Sequence, residues 1–278
     1  MLECPALELV GVLEEDAERR AEVMTGGAAA NGTAGPCYAS VRWFESPDEM
    51  LRDESITAVA CEGANDESLD MAERIIAAGK HLWLDKPAGE CWAQWVRIVE
   101  GARAHRLHIQ LGFMLRYSPA FTQLAEWARS GFLGQIFKVR GDMSKAFLPG
   151  AFKKYIDYPH AGGIFYDLGG HMVDMILWMY SGRRPLRATG IFHATQADAP
   201  SYADNTLGLL EFEGGGLGMI DISLREHGNH RRFELFGSKG SAIITGVRQA
   251  HVTAASVCNT CCRSDGDGGR SAMGWVGG

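Results

Sequence analysis

Short apolar runs alternate with amphipathic segments along the first part of the chain. Because the runs are apolar on both faces, the alternation predicts a parallel sheet covered by helices. The predicted strands are residues 8–13, 56–61, 81–84 and 107–111, and the predicted helices begin near Glu14 and cover residues 46–51, 67–78 and 91–105.

Two local signals place helix ends within this pattern. Ser46 is a candidate N-cap, Pro47 suits the first helical position, and Glu49 completes a capping box. Gly79 follows the helical repeat of residues 67–78 at the position where a glycine commonly ends a helix. The strand at residues 81–84 therefore begins directly after a helix.

The pattern changes in the second part of the chain. A helix is predicted from the Ser118-Pro119 cap to Ser130, and a second helix, dense in Met, Leu and aromatic residues, at 164–180. The strand-like segments suggest a mostly antiparallel sheet, with a hairpin turn at 213–216. They are residues 136–143, 186–195, 206–212, 217–224 and 231–236. We expect an α/β domain at 1–115, an α+β domain at 116–246 and an irregular or disordered tail at 247–278.

Composition narrows the classes of ligand. With 278 residues, 46% of them hydrophobic, the chain can bury two modest cores. A net charge of -7 disfavours nucleic acid and anionic membranes as partners, and no apolar run is long enough to span a bilayer. Seven cysteines, an odd number with four widely spread and three clustered at 258–262, indicate reduced thiols. The Cys258-x-x-Cys261 pair has no second pair nearby to complete a zinc site. We expect a soluble, cytoplasmic protein that binds a small molecule and no metal.

The first candidate for chemistry is the segment Asp85-Lys86-Pro87, which follows the strand at 81–84. Ligands of open α/β sheets gather beyond the carboxyl ends of the strands, so Lys86 is placed where a ligand would bind. The alternative interpretation is an ordinary solvated turn.

The second candidate is the helix with Asp167, His171 and Asp174, whose spacing puts the three side chains on one face. A carboxylate beside an imidazole raises its pKa and orients the ring, which suits a general acid or base. Gly169 and Gly170 each cost the helix about 1 kcal/mol, which suggests a close approach to the backbone. The alternatives are a polar stripe facing water and a metal site that also uses His160.

In order and surroundings, Asp85-Lys86-Pro87 and Asp167-x-x-x-His171 resemble motifs of the Gfo/Idh/MocA family of nicotinamide-dependent oxidoreductases. Further similar segments are Gly63-Ala64-Asn65 and the stretch around Arg116, so the resemblance covers about residues 9–244. It implies a Rossmann domain that binds NAD or NADP, and an α+β domain that contacts substrate and forms a homo-oligomer through its sheet.

The resemblance also assigns roles to individual residues. Lys86 would hydrogen-bond the reacting oxygen, His171 would move its proton, and Asp167 would orient both. Glu14 would accept the adenosine ribose hydroxyls, which favours NAD over NADP. The implied cofactor-binding residues are Glu14, Asn65, Asp85 and Lys86, and the implied substrate contacts are Arg116, Tyr155, His160 and Asp174.

The sequence departs from the family pattern at both ends. Residues 8–13 correspond to the second strand of a dinucleotide domain, so we expect the first strand, the Gly-x-Gly-x-x-Gly loop and the first helix to be lacking. A Gly- and Cys-rich tail replaces the end of the second domain, and truncation or a frame change at both ends is our hypothesis. Two functions stay open: an oxidoreductase acting on a sugar, polyol or related small molecule, and a non-catalytic ligand-binding or oligomerising module in which cofactor binding is lost.

Overall fold

The computed structural model describes residues 6–24, 38, 41–62, 67–145, 163–197, 200–245 and 251–253. The chain divides into two compact units, Met1–Phe113 and Met114–Gly278. Within the described ranges, no helix has the length and apolar character needed to cross a membrane.

The first unit alternates strands with helices, and every strand pair in it is parallel, as the apolar pattern predicted. One pair consists of β1 and β2, and a separate sheet has the order β3-β4-β5. The strands are β1 (Gly11–Val12), β2 (Arg42–Trp43), β3 (Ala58–Cys61), β4 (His81–Leu84) and β5 (Ile109–Leu111); the helices are α1 (Ala17–Met24), α2 (Pro47–Arg52), α3 (Ser68–Ala77) and α4 (Trp92–Ala104).

The predicted N-cap at Ser46 and the predicted glycine helix end at Gly79 are both present in this unit. Ser46 Oγ accepts a hydrogen bond from Glu49 N at 3.2 Å, which confirms the N-cap, and Glu49 Oε2 accepts from Glu45 N at 2.9 Å. Gly79 follows α3 with a φ of 72°, the left-handed conformation that glycine adopts readily. The helices α3 and α4 cover β4 with a core that includes Ala72, Ile75, Leu82, Leu84 and Ile98.

The second unit contains a seven-stranded sheet with the order β12-β11-β10-β6-β9-β8-β7. All neighbours are antiparallel except β6 and β9, which confirms a mostly antiparallel sheet. The elements are a 3₁₀ turn (Met114–Tyr117), α5 (Pro119–Arg129), β6 (Ile136–Ser144), a π-helical segment (Phe165–Gly169), α6 (Gly170–Met179), β7 (Pro185–His193), β8 (Asn205–Phe212), β9 (Gly216–Ser223), β10 (Arg231–Gly237), β11 (Gly240–Thr245) and β12 (His251–Thr253).

The two faces of this sheet differ. Helix α6 packs on one face and closes a core that includes Val139, Met172, Ile220 and Leu235. On the opposite face, which we call the open face, Leu207, Leu209 and Leu217 are each 49% exposed and Ile191 is 65% exposed. The side chains of the sheet thus alternate between a closed helix-covered side and a side with accessible apolar groups.

The helix predicted at 164–180 is present, with π geometry at Phe165–Gly169 and α geometry at Gly170–Met179. One sequence expectation needs correction. Within the stretch expected to be irregular after residue 246, His251–Thr253 forms β12 by pairing with β11. The other residues of that stretch lie outside those described.

Candidate active site

Lys86 follows β4 in the first unit and is partly buried. Backbone hydrogen bonds continue the parallel ladder past the strand: Asp85 N donates to Cys61 O at 3.0 Å, and Gly112 N donates to Leu84 O at 2.8 Å. The Lys86–Pro87 peptide bond is cis. Because both neighbouring strands hold the backbone here, Lys86 extends from a fixed strand end.

The side chain of Asp85 lies against the backbone of Gly112. A Cβ at Gly112 would come within 2.8 Å of Asp85 Oδ1 and within 2.9 Å of the Trp83 ring. The absence of a side chain at Gly112 therefore leaves the space that the Asp85 carboxylate occupies.

Glu14 stands two residues past β1 and is partly buried. Its Oε1 accepts a hydrogen bond from Asp16 N at 3.0 Å, and Asp16 Oδ1 in turn accepts from Arg19 N at 2.9 Å at the start of α1. The Glu14 carboxylate is thus at the carboxyl end of a parallel strand, with its position set by the following turn.

Asp167, His171 and Asp174 belong to the π-helical segment and α6 of the second unit. His171 is 8% exposed and Asp174 is 9% exposed, so the alternative of a polar stripe facing water is wrong for these two residues. Gly169, between Asp167 and His171, fits below the Phe165 ring, which a Cβ would approach to 3.0 Å. The Phe165 ring therefore packs against Gly169 within the π-helical segment, and His171 and Asp174 on the following helix are buried.

Lys145 is a neighbour of Asp167 that the sequence analysis missed. Its Nζ lies 3.9 Å from Asp167 Oδ2, and its backbone N donates to Ser223 O at 3.1 Å just beyond β6. The available signal was its position, since Lys145 directly follows β6 and Lys86 stands two residues past β4. Lys145 and Asp167 thus form an ion pair within the second unit.

Arg116 and Asp174, both predicted to contact substrate, bind each other. Arg116 Nε donates to Asp174 Oδ2 at 2.8 Å and Nη2 donates to Oδ1 at 2.7 Å. The hydrogen bonds to this carboxylate raise the pKa of Arg116. The Arg116 guanidinium also lies 5.3 Å from the Trp178 ring centroid, so it is held from two sides.

Two family models together cover most of the chain. The model described as the oxidoreductase family, NAD-binding Rossmann fold, matches residues 1–113, and the GFO/IDH/MocA C-terminal domain matches residues 121–243. The chain belongs to the Gfo/Idh/MocA family. Each family model matches within one of the two compact units, which confirms the fold class predicted from the sequence.

Curated members of the Gfo/Idh/MocA family are similar over part of their length. The chain is 27% identical over 219 residues to scyllo-inositol 2-dehydrogenase (NAD(+)) from Bacillus subtilis, covering 77% of this chain and 63% of that protein. It is 29% identical over 217 residues to myo-inositol 2-dehydrogenase from Thermotoga maritima, covering 75% of this chain and 62% of that protein. The chain therefore spans less than two thirds of the length of these relatives.

Solved structures show the same fold. A probable dehydrogenase from Thermotoga maritima superposes with a TM-score of 0.74 at 23% identity, covering 87% of this chain and 70% of that one. GenD2 from gentamicin A biosynthesis, solved in complex with NAD, also gives 0.74, at 21% identity, covering 87% of this chain and 66% of that one.

Some predicted family positions lie outside the described residues, namely Asn65, Tyr155 and His160. Lys86 belongs to the first unit, whereas Asp167 and His171 belong to the second. Across the part of the chain that the structure describes, no three His, Cys, Asp or Glu side chains are grouped to hold a metal ion. The catalytic and binding roles implied by the resemblance stay predictions.

Proposed function

We propose that the protein is an NAD-dependent oxidoreductase that transfers hydride between the nicotinamide and a hydroxyl or carbonyl carbon of a polyol or sugar. The observation that carries this proposal is the match of both family models, one over the unit that holds Lys86 and the other over the unit that holds Asp167 and His171. The names of the curated relatives, which are inositol dehydrogenases, support the substrate class.

In this proposal, three side chains handle the proton and the reacting oxygen. Lys86 Nζ donates a hydrogen bond to the substrate oxygen, which stabilises the negative charge that grows there as the proton leaves. The His171 imidazole accepts that proton during oxidation and returns it during reduction. Asp167 keeps the imidazole oriented, and Lys145 Nζ lies 3.9 Å from its carboxylate.

The nicotinamide cofactor would supply the hydride chemistry. Glu14 fits its adenosine end, because a carboxylate beyond a parallel strand accepts ribose hydroxyls, and the same negative charge repels the 2′-phosphate of NADP. Asn65 and Asp85 are the further proposed cofactor contacts, while the main role of Lys86 is toward the substrate oxygen. The backbone hydrogen bonds of Asp85 and Gly112 would hold these cofactor contacts in place.

The first test is NAD⁺ reduction with myo-inositol, scyllo-inositol and D-glucose, together with calorimetry using NAD(H) and NADP(H). Lys86→Ala should leave cofactor affinity nearly intact while turnover is lost. Lys239→Ala is the matched control, because Lys239 is exposed in the turn between β10 and β11. Failure of both cofactors to bind at millimolar concentration would exclude the oxidoreductase proposal for this chain.

Oligomerisation, which both the enzyme and the non-catalytic alternative allow, is supported by one observation, the accessible apolar residues of the open face. We propose that this face forms a homo-oligomer, because burying Leu207, Leu209 and Leu217 from water stabilises association. Leu209→Lys should shift the sedimentation profile toward monomer, whereas Leu177→Lys, on α6, should not. An unchanged profile for Leu209→Lys would exclude the open face as the interface.

A cytoplasmic location stays a prediction.

A further inference from the structure

Two adjacent arginines at the start of β10 have opposite surroundings. Arg232 lies on the open face, where its Nη2 donates to Glu234 Oε1 at 2.6 Å. Glu234 is only 3% exposed and also accepts from Arg140 Nη1 at 3.1 Å. These contacts raise the pKa of the Arg232 guanidinium, as expected for a cation that the protein itself neutralises.

Arg231 is on the helix-covered side of the sheet. It pairs with Met143 across the ladder, and Met143 is 1% exposed within the core. Arg231 and Arg232 both border, with Leu115 and Met172, a cavity of about 10 Å³, which is about the space that one water needs. Since Met172 is the residue after His171, the Arg231 side chain lies close to the helix that carries the proposed proton-transfer group.

The side chain of Arg231 has no hydrogen-bond or ion-pair partner among the described residues. It is partly buried, and burial lowers the pKa of its guanidinium. The direction is opposite to that of Arg116, whose pKa is raised by Asp174. A cation that has lost part of its hydration without gaining a carboxylate is a site for an anion from outside the described chain.

Among the described residues, Lys145, Arg225 and Arg232 at this end of the sheet each have an acidic partner. Lys145, two residues past Met143 and hence on the same side, lies 3.9 Å from the Asp167 carboxylate. Arg225 Nε lies 3.9 Å from Asp204 Oδ2, and Glu226 accepts from Ser144 Oγ at 2.9 Å. By contrast, no carboxylate among the described residues pairs with the Arg231 guanidinium.

We propose that Arg231 binds a carboxylate or phosphate group of the substrate, so that the protein acts on an anionic sugar or polyol, such as a sugar acid or a sugar phosphate. This inference rests on the proposed oxidoreductase function and adds the charge of its substrate. A guanidinium presents a planar fork that matches both anions. Because the chain has a net charge of -7, a local cation is needed to attract an anionic substrate.

Thermal unfolding tests whether the Arg231 charge forms stabilising interactions within the protein. Arg231→Gln should leave Tm unchanged or raise it, because a partly desolvated unpaired charge is removed. Arg232→Gln is the matched control and should lower Tm, because Glu234 is buried and loses one of its two arginines. A fall in Tm for Arg231→Gln as large as for Arg232→Gln would overturn the proposal.

Calorimetry on the full chain then tests the ligand. The probes are D-glucuronate, D-glucose 6-phosphate, D-glucose and inorganic phosphate alone. Together they distinguish binding of a sugar carboxylate from binding of a sugar phosphate, a neutral sugar or free phosphate. The wild-type chain should bind one anionic sugar about tenfold more tightly than D-glucose. That preference should vanish in Arg231→Gln, persist in part in Arg231→Lys, and be unchanged in Arg129→Gln, an exposed arginine on α5.

Three results would overturn the inference: equal affinity for charged and neutral sugars, a preference that survives Arg231→Gln, or no binding of either anionic sugar. Failure of the proposed function is distinguishable, because calorimetry does not require hydride transfer. A chain that binds D-glucuronate through Arg231 yet reduces no NAD⁺ with any probe would refute the oxidoreductase activity and leave the anion site established.

Discussion

Arg116 and Asp174 join the 3₁₀ turn to α6 through two parallel hydrogen bonds, from Nε to Oδ2 at 2.8 Å and from Nη2 to Oδ1 at 2.7 Å. The carboxylate side chain is 11% exposed and the guanidinium 38% exposed. Fork-to-fork geometry of this kind fixes the relative orientation of the two groups. The pair therefore stabilises the position of the helix that carries His171.

The first prediction concerns this ion pair. Asp174→Asn should lower the free energy of unfolding by about 2 kcal/mol, because a partly buried guanidinium loses its counter-charge. Denaturant unfolding measures the change, and the Arg116→Gln/Asp174→Asn double variant should cost less than the sum of the singles. If each single variant instead raises KM and leaves stability unchanged, both residues are substrate contacts as the family resemblance implied.

The second prediction concerns the entry to the π-helical segment. Gly163 has a φ of 51°, and a Cβ there would overlap the backbone of Ala203, whose carbonyl accepts from Ile164 N at 3.0 Å. Gly163→Ala should therefore destabilise the fold by about 3 kcal/mol, combining backbone strain with displacement of the segment that holds Asp167.

Gly182→Ala is the control for that experiment. Gly182 has a φ of 89° but nothing within 4 Å of an added Cβ, so this variant has the backbone strain without the overlap. It should cost only about 1 kcal/mol in denaturant unfolding. Equal losses for the two variants would show that Ala203 moves aside freely.

The third prediction is a pH dependence on the open face. Asp142 pairs with Asp221 on β9 and with Arg232 on β10. Burial raises the pKa of Asp142 to about 6, and the neighbouring charges of Asp221, Glu234 and Glu226 act in the same direction, against Arg232. Burial also raises the pKa of Asp221.

The direction of the change in stability with pH depends on whether the folded or the unfolded state ionises at the lower pH. The unfolded carboxyl ionises near the ordinary pKa of 3.8 and the folded one near a pKa of about 6, so the contribution of Asp142 to stability is fully present below pH 3.8 and is lost as pH rises through about 6. Asp142→Asn should reduce this fall in thermal unfolding across the same pH range. Glu100→Gln, an exposed carboxylate on α4, should leave it unchanged. An identical fall in Asp142→Asn would show that other groups cause it.

The fourth prediction concerns Lys145 as a positioning residue for Asp167. Lys145→Gln should change the free energy of unfolding by less than about 0.5 kcal/mol, because the pair is partly exposed and 3.9 Å apart. It should lower kcat several-fold and shift the pH profile, while Lys145→Arg retains the charge and most of kcat. Unchanged kcat and an unchanged pH profile for Lys145→Gln would show that Asp167 does not depend on this ammonium group.

Local sequence signals were sufficient for much of the fold. The strand predicted at residues 81–84 is β4 with the same ends, and the Ser46 cap and the Gly79 helix end were both found. In each case the determining interactions lie within a few residues. By contrast, β2 and β12 have two and three residues, too few for a periodic pattern, and form because a partner strand is present.

The sequence by itself determined the parallel and antiparallel halves of the protein and the order of Lys86, Asp167 and His171, because hydrophobic periodicity and short motifs are local properties. Only the tertiary structure decided that Arg116 binds Asp174, 58 positions away, and that Lys145 accompanies Asp167. It also decided that Arg232 meets a carboxylate while Arg231 meets none in the described chain. These partnerships depend on strand register and helix packing, which bring together residues whose neighbours in sequence give no sign of the contact.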